Sequence, residues 1–596
     1  MARGHGQIRR TQVITTYGPG ALIDLPRDSA IVAGLETWPN PSQLEEIIEP
    51  RLVHKLQSLT GVSTPRLFAP PPPGTELGKS PLGIGAFRFP EWFVVQDEAG
   101  GADRERSRRL VNRRALDEKK HFDGRRVVAT RFVRACPRGH VDDLDWYGFI
   151  HGRDNNCRRQ LWLDERGTGG DLGDLTARCE CEKSRPLSDA SKIELNPLGF
   201  CRGSRPWLGK HSDEDCTHPS RLLIRTASNA YFPQVLSALS LPNSGDALAT
   251  VVAELWDDLQ IVENSAHLKL LKKKPTVTQK LSPYSDADVL KAIEKHRHGG
   301  VEERPVKQVE LDALLDVPEG FGDDVPIDPD FHARRLPEKV WRRSELSLGV
   351  GSVTQAHRLR EVMTLVGFTR LEAVTPDIDG EYETDVERAD LALDPEWFPA
   401  VENRGEGVFI ELRATALAGW LKRPQVSGRV DALSEGYDRW AEDRKLTKPF
   451  PGGPYVLLHT LSHLLLQSLA MQCGYPASSI RERIYVDYAG SRFGLLLYTG
   501  SSDAEGTLGG LVQQGRHFED HLTYALRMSS LCSNDPICAQ HVPGKDMEGR
   551  WLHGAACHGC ALVAETSCEM RNDFLDRALV VPTLGTPRET AFFDFK

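Results

Sequence analysis

The chain has 596 residues, which at roughly 100–200 residues per domain predicts several domains with real cores. Hydrophobic residues make up 40% and charged residues 27%, an ordinary globular balance that excludes a fibrous or wholly disordered chain. The 74 basic and 84 acidic residues give a formal charge of −10, which excludes a uniformly basic nucleic-acid coat but leaves room for a local basic patch.

The first hundred residues mix short apolar runs with breakers such as Gly18-Pro19-Gly20 and the PPPPG run at 70–74, and predict loops joining short strands. Residues 101–134 carry twelve Arg or Lys against five Asp or Glu, a local +7. Within them, residues 104–120 have helical spacing of apolar side chains, whereas 125–133 alternate like a strand. An apolar, helix-like stretch follows Arg225-Thr226-Ala227-Ser228-Asn229 and ends near Pro242. Residues 245–300 read as helical, with the basic run KLLKKK at 269–274; residues 301–345 and 371–406 are acidic and read as loops or edge strands. From Pro454 a strongly apolar helix, VLLHTLSHLLLQSLA, opens a last unit. Strands at 483–488 and 493–498, a Gly-rich turn and a helix near 518–528 complete it. The fold class expected is α+β and multidomain, with small zinc-stabilised cysteine-rich modules and a C-terminal mixed helix/strand domain. The segments are 1–130, 131–244, 245–345, 346–450 and 451–596.

The twelve cysteines are unevenly placed: six lie between Cys136 and Cys216, five between Cys532 and Cys568, and Cys473 stands alone. Disulfides need an oxidising compartment. The N-terminal MARGHGQIRRTQV lacks a signal-length apolar stretch, and the most apolar run, 456–470, includes two histidines, Ser462 and Gln467. The expectation is a cytoplasmic chain without a membrane partner, whose clustered cysteines are metal ligands rather than bridges.

At the C-terminus, Cys557-His558-Gly559-Cys560 is a CxxC that sets two thiolates on one tight turn. Zinc needs two more soft ligands to complete a tetrahedron, and Cys532, Cys538 and Cys568 compete for the two places. His553 and His558 are alternative ligands, and a redox CxxC or buried free thiols are the competing readings. The site looks closed, which favours a structural role. The first island holds Cys136, His140, His151, Cys157, Cys179, Cys181, Cys201 and Cys216. One partition puts Cys136, His140, His151 and Cys157 in one site and Cys179, Cys181, Cys201 and Cys216 in the other. A single site with spare thiols is the alternative.

Two segments mimic motifs. The stretch 74–80, GTELGKS, has three residues between its glycines where a Walker A loop has four. His459-Thr460-Leu461-Ser462-His463 sets two histidines at zinc spacing, but HExxH needs glutamate where Thr460 stands, so core or interface histidines are expected. The glycine-rich 500–510 turn lacks dinucleotide-loop spacing. No nucleophile elbow, kinase set or carboxylate metal motif is present, and no catalytic residues are assigned. The basic segment offers Arg108, Arg109, Arg113, Arg114, Arg125 and Arg126 for phosphate contacts, against the plainer reading of a solvated, salt-bridged face.

The run LHGAACHGCALVAETSCEMRNDFLDR, preceded by LCSNDPIC, resembles the MrfA-like zinc-binding domain found at the C-terminus of certain helicases, over roughly residues 454–582. That resemblance implies zinc held by Cys532, Cys557, Cys560 and Cys568, with Cys538 as an extra. Together with ITTYGPGALIDLP, CPRGHVDDLDWYGFIH, CRGSRPWLG and RTASNAYFP, the chain resembles the DrmB family, the non-helicase partner in DISARM anti-phage defence. The resemblance implies a non-enzymatic zinc-binding subunit that partners a DrmA-like helicase, whose motor hydrolyses ATP, and that helps engage phage DNA. Competing readings are a metal-dependent nucleic-acid-processing enzyme with Asp142 or Asp143 as base, and a purely protein-binding adaptor.

Overall fold

A computed structural model of the chain describes residues 8–595 apart from 26–27, 73–82, 97–104, 153–155, 167–170, 211, 243–247, 249–250, 253–254, 263, 283, 298–303, 327, 375, 383–386, 445, 447, 501–509 and 544–549. The Walker-like stretch at 74–80 and the turn at 501–509 lie outside the described residues. Helices and strands both contribute, in several separate sheets, as an α+β chain requires. The chain forms two compact units, discontinuous in sequence: Met1–Ser237 with Met363–Thr375 and Tyr382–Glu402, and Ala238–Val362 with Pro376–Glu381 and Asn403–Lys596. They are coarser than the five segments drawn from composition.

In the first unit, a seven-stranded sheet is built around the antiparallel pairing of Leu161–Arg166 with Glu105–Asn112 and Leu175–Cys179. Period-two alternation puts Leu161, Leu163, Leu175, Ala177 and Cys179 into a core shared with Trp146 and Phe149 of the short helix Trp146–His151. The helical spacing expected over 104–120 is not realised; Glu105–Asn112 is a strand. Its apolar Leu110 and Val111 pair with Val94 and Phe93 of the strand Trp92–Val95, so cross-strand burial outweighs a weak local helix pattern. Residues 125–129 form a strand as expected. The apolar stretch expected to be helix-like is instead the strand Phe232–Leu239; short apolar runs do not separate the two by periodicity.

A three-stranded sheet, with Phe132–Ala135 between Val141–Asp143 and Arg221–Ile224, carries the first cysteine hairpin. Its turn is fixed from within the unit by fully buried Arg370, which donates to the carbonyls of Gly139, Ala230 and Gly20. Burial pushes this guanidinium down to about 10; three carbonyl acceptors supply the compensation that a buried cation needs.

The second unit is organised by the helix Gly453–Cys473, hereafter the central helix. Pro454 suits its first turn, and Gly474, at φ 74°, ends it in the left-handed conformation. It is apolar almost all round, the pattern of a helix enclosed by protein. Leu457, Leu458, Leu461 and Leu465 pack with Ile484 and Leu495 of the antiparallel strands Ile480–Asp487 and Arg492–Thr499, and with Leu522 and Leu526 of the helix Phe518–Ser529. Among the described residues no helix is long and apolar enough to cross a membrane. Leu461 is fully buried, and Leu461→Ala is expected to destabilise the unit by about 2–5 kcal/mol through lost transfer energy and a cavity, measured as a lower urea midpoint by tryptophan fluorescence.

Candidate metal centres

Among the described residues three Cys/His tetrads form, and in each the ligand atoms lie within 4.8 Å of one another. The first gathers Cys136, His140, Cys201 and Cys216. Cys136 and His140 flank the turn between Phe132–Ala135 and Val141–Asp143, where Gly139, at φ 91°, reverses the chain and donates to the Cys136 carbonyl. His140 Nδ1 lies 3.4 Å from Cys136 Sγ and 3.5 Å from Cys201 Sγ. Its other nitrogen, Nε2, sits 2.7 Å from the Glu214 carboxylate, the outer partner that orients a ligating imidazole. Gly203 donates its N–H to Cys201 Sγ at 3.3 Å. A Cβ there would fall 1.6 Å from the Glu214 carbonyl, and φ is +67°, so glycine is required for the close approach.

The second tetrad is His151, Cys157, Cys179 and Cys181. His151 closes the helix Trp146–His151, donates Nδ1–H to the Tyr147 carbonyl at 3.0 Å and turns Nε2 toward Cys181 Sγ at 3.2 Å. Cys179 ends the strand Leu175–Cys179, and the tight turn after it, with Glu182 at φ 71°, brings Cys181 back beside it. Cys157 Sγ is 3.6 Å from Cys179 Sγ. The expected partition of this island is thereby corrected: Cys201 and Cys216 complete the first site, while His151 and Cys157 belong with Cys179 and Cys181. Nearness in sequence misled, because a β-hairpin returns Cys179 to the level of Leu161 and so to the Cys157 side.

The third tetrad is Cys532, Cys538, Cys557 and Cys560. Cys532 and Cys557 are 3.4 Å apart, Cys538 and Cys560 3.7 Å, and Cys557 and Cys560 3.7 Å. Four sulfurs at about 2.3 Å from a tetrahedral zinc stand about 3.8 Å from each other. Asp535 organises the first ligand turn by accepting from the Cys532 and Ala539 N–H groups, and buried Arg577 pairs with it. The grouping of Cys568 with Cys532, Cys557 and Cys560 is overturned: Cys538, the apparent extra, completes this tetrad. The turn at 532–538 carries both thiols to the CxxC. Nor are the alternative histidines in it: His558 is exposed, and His553 bonds the Asn572 carbonyl at 2.8 Å.

Within each tetrad the thiols drive one another apart in acidity. Cys201 is held down to about 4 by the hydrogen bond from Cys136, against burial and with help from His140, while that same pairing and burial push Cys136 up. Cys538 is likewise held down to about 5 by Cys560, whose own thiol is raised. The Lys183 backbone N–H and His151 lower Cys181 to about 6, whereas burial raises Cys179 to about 11. Such crowded groups share protons; a divalent cation lets all of them ionise together.

A fourth convergence joins His459, His463, Glu482 and Cys568. Both histidines are fully buried, as expected of core residues, yet their Nε2 atoms approach one Glu482 oxygen at 2.9 and 3.2 Å. The i,i+4 histidine spacing is its only signal in the sequence. Glu482 stands on the separate strand Ile480–Asp487 and belongs to no linear motif.

The basic segment divides in two. Arg108 pairs with Glu165 at 2.6 Å, Arg109 with Asp123 at 2.9 Å, and Arg113 with Glu91 at 2.8 Å. Arg114, Arg125 and Arg126 are exposed. Asp142 pairs with Arg134, and Asp143 accepts the Glu91 N–H at 2.9 Å, so the carboxylates considered as bases are already engaged.

Residues 461–561 match the MrfA Zn-binding domain, and residues 9–232 match a family described as a domain of unknown function, DUF8724. The zinc-domain match spans all four cysteines of the third tetrad and stops before Cys568, in agreement with the geometry. Over 481 residues the chain is 32% identical to the DISARM protein DrmB of Bacillus paralicheniformis, covering 78% of this chain and 82% of that protein. With such a relative aligned across both of its compact units, the chain belongs to the DrmB family of DISARM proteins.

Proposed function

We propose that this chain is a non-catalytic, zinc-built subunit of a cytoplasmic DISARM-type anti-phage complex, which partners a DrmA-like helicase and helps hold DNA. The observation that carries the reading is the set of three four-ligand Cys/His tetrads. Each already supplies four protein ligands, and a zinc with four protein ligands has no position for water or substrate. Zinc in such sites fixes small modules whose cores are too thin to stand alone. The donor chemistry fits: thiolates and neutral imidazoles are the ligands zinc prefers, and His140 and His151 each use the second ring nitrogen on an outer partner.

Family membership supports a place in a defence complex. The zinc domain resembles one carried by helicases, while the sequence has no GxxxxGK[ST] loop of its own, so the motor is assigned to a partner. For DNA, the exposed Arg114, Arg125 and Arg126 are the contact group this reading favours, since arginine pairs with phosphate in a sequence-independent way. Arg108, Arg109 and Arg113 would instead hold the sheet that presents them.

The metal assignment is checked by elemental analysis. Cys538→Ala is expected to remove one zinc equivalent per chain and to lower the melting temperature, while His558→Ala leaves the zinc content unchanged. The opposite pattern would restore the CxxC histidine as a ligand in place of Cys538. For the DNA assignment, the helicase-bound chain is titrated with duplex at several salt concentrations. Replacing Arg114, Arg125 and Arg126 together by alanine is expected to weaken binding and to flatten the log–log salt slope by roughly 2–3. An unchanged slope removes these residues from the interface. ATP hydrolysis is expected from the helicase-containing complex and not from this chain alone; turnover by the isolated chain would contradict a non-catalytic role.

A further inference from the structure

We infer that His459, His463, Glu482 and Cys568 form a fourth, structural metal site of zinc type, which clamps the central helix to the strand Ile480–Asp487 and to the segment around Cys568. It is separate from the three tetrads and does not depend on their assignment. Two of its four ligands, His459 and Cys568, lie outside the part of the chain that matches the zinc-binding family.

The four groups come from three segments that the fold brings together independently. His459 and His463 lie one turn apart on the same face of the central helix. Glu482 lies on a strand packed beneath that helix, and its backbone N–H donates to the Ser567 carbonyl at 3.0 Å. That bond draws Cys568 alongside. His459 Nε2 stands 3.1 Å from Cys568 Sγ and 2.9 Å from Glu482 Oε1; His463 Nε2 is 3.2 Å from the same oxygen. A tetrahedral zinc with N, O and S ligands sets such pairs about 3.3–3.6 Å apart. The side chains therefore need to open by only a few tenths of an ångström.

Three of the four ligands are prepared by a second contact. His463 Nδ1 donates to the Ala561 carbonyl at 2.8 Å. A carbonyl only accepts, so the proton is on Nδ1 and Nε2 is the ring atom turned to the centre. Cys568 Sγ accepts the backbone N–H groups of Asn572 at 3.1 Å and Met570 at 3.4 Å, which hold the sulfur in place. The second Glu482 oxygen is held by the Ser462 hydroxyl. Charge closes as well: a carboxylate and a thiolate balance one divalent cation. Both histidines are fully buried, Glu482 is 3% exposed and Cys568 9%. With four buried protein ligands, the site is built for architecture, not turnover.

The deciding experiment is an anomalous difference map at the zinc absorption edge from crystals of the full, unmodified chain purified without chelator. A peak within bonding distance of His463 Nε2 and Cys568 Sγ is expected. Peaks at any of the three tetrads with none between these four residues would overturn the site, whereas failure of the tetrads alone would leave it standing. In solution, Cys568→Ala and His463→Ala are each expected to lower zinc by one equivalent relative to the unmodified chain. A variant that keeps its circular dichroism and its full zinc content would overturn the assignment, leaving a His–Glu–His proton-sharing network. Where a variant does not fold, the map on the unmodified chain decides between the two.

Discussion

Packing several ionisable sulfurs and imidazoles within 4.8 Å of each other is electrostatically expensive unless a cation sits among them. Thiolates that close repel, and burial penalises each one further. Without a cation only part of each set can ionise, which is why the acidities of Cys201 and Cys136, or of Cys538 and Cys560, separate so far. The segments that bear these residues are otherwise held by turns, backbone hydrogen bonds and small apolar clusters. Their geometry makes physical sense when the ligands are pinned to one ion, and the ligand turns are shaped for it, down to the glycine at 203 that lets backbone meet backbone.

The second unit solves a related problem in its core. Up to its last turn the central helix is enclosed by protein, yet it carries His459, Thr460, Ser462 and His463 inside. None is stranded. Thr460 donates to the Val456 carbonyl and accepts the Asp576 N–H, while Ser462 and the two histidines converge on Glu482. A buried polar cluster that converges in this way specifies one register between helix, strand and C-terminal segment. Leucine packing alone would tolerate sliding by a turn; directional bonds to a single carboxylate do not.

The same economy governs the charged surface of the first unit. Its basic stretch looks uniform in sequence, but strand pairing sets Arg108 near Glu165 and Arg113 near Glu91, and the turn at Asp123 meets Arg109. Those three arginines spend their charge inside the chain. Arg114, Arg125 and Arg126 are exposed, at a turn and at the start of the strand Arg125–Ala129. A net charge of −10 therefore says little about any one patch.

Sequence alone determined the features written in residue type and local period. The apolar central helix, the strands after it, the helix near 518–528, the two cysteine islands and the family were all legible there, because each depends on short-range pattern or on several segments agreeing. The partner of each ligand was not. Cys179 reaches Cys157 through a hairpin, Cys538 displaces Cys568 because a turn carries it to the CxxC, and Glu482 meets His459 and His463 from a strand nineteen residues beyond the second histidine. Metal ligands need only converge in space at a few ångströms, and spacing along the chain constrains that convergence solely within one turn. Everything beyond a turn was decided by how strands pair and what the central helix packs against.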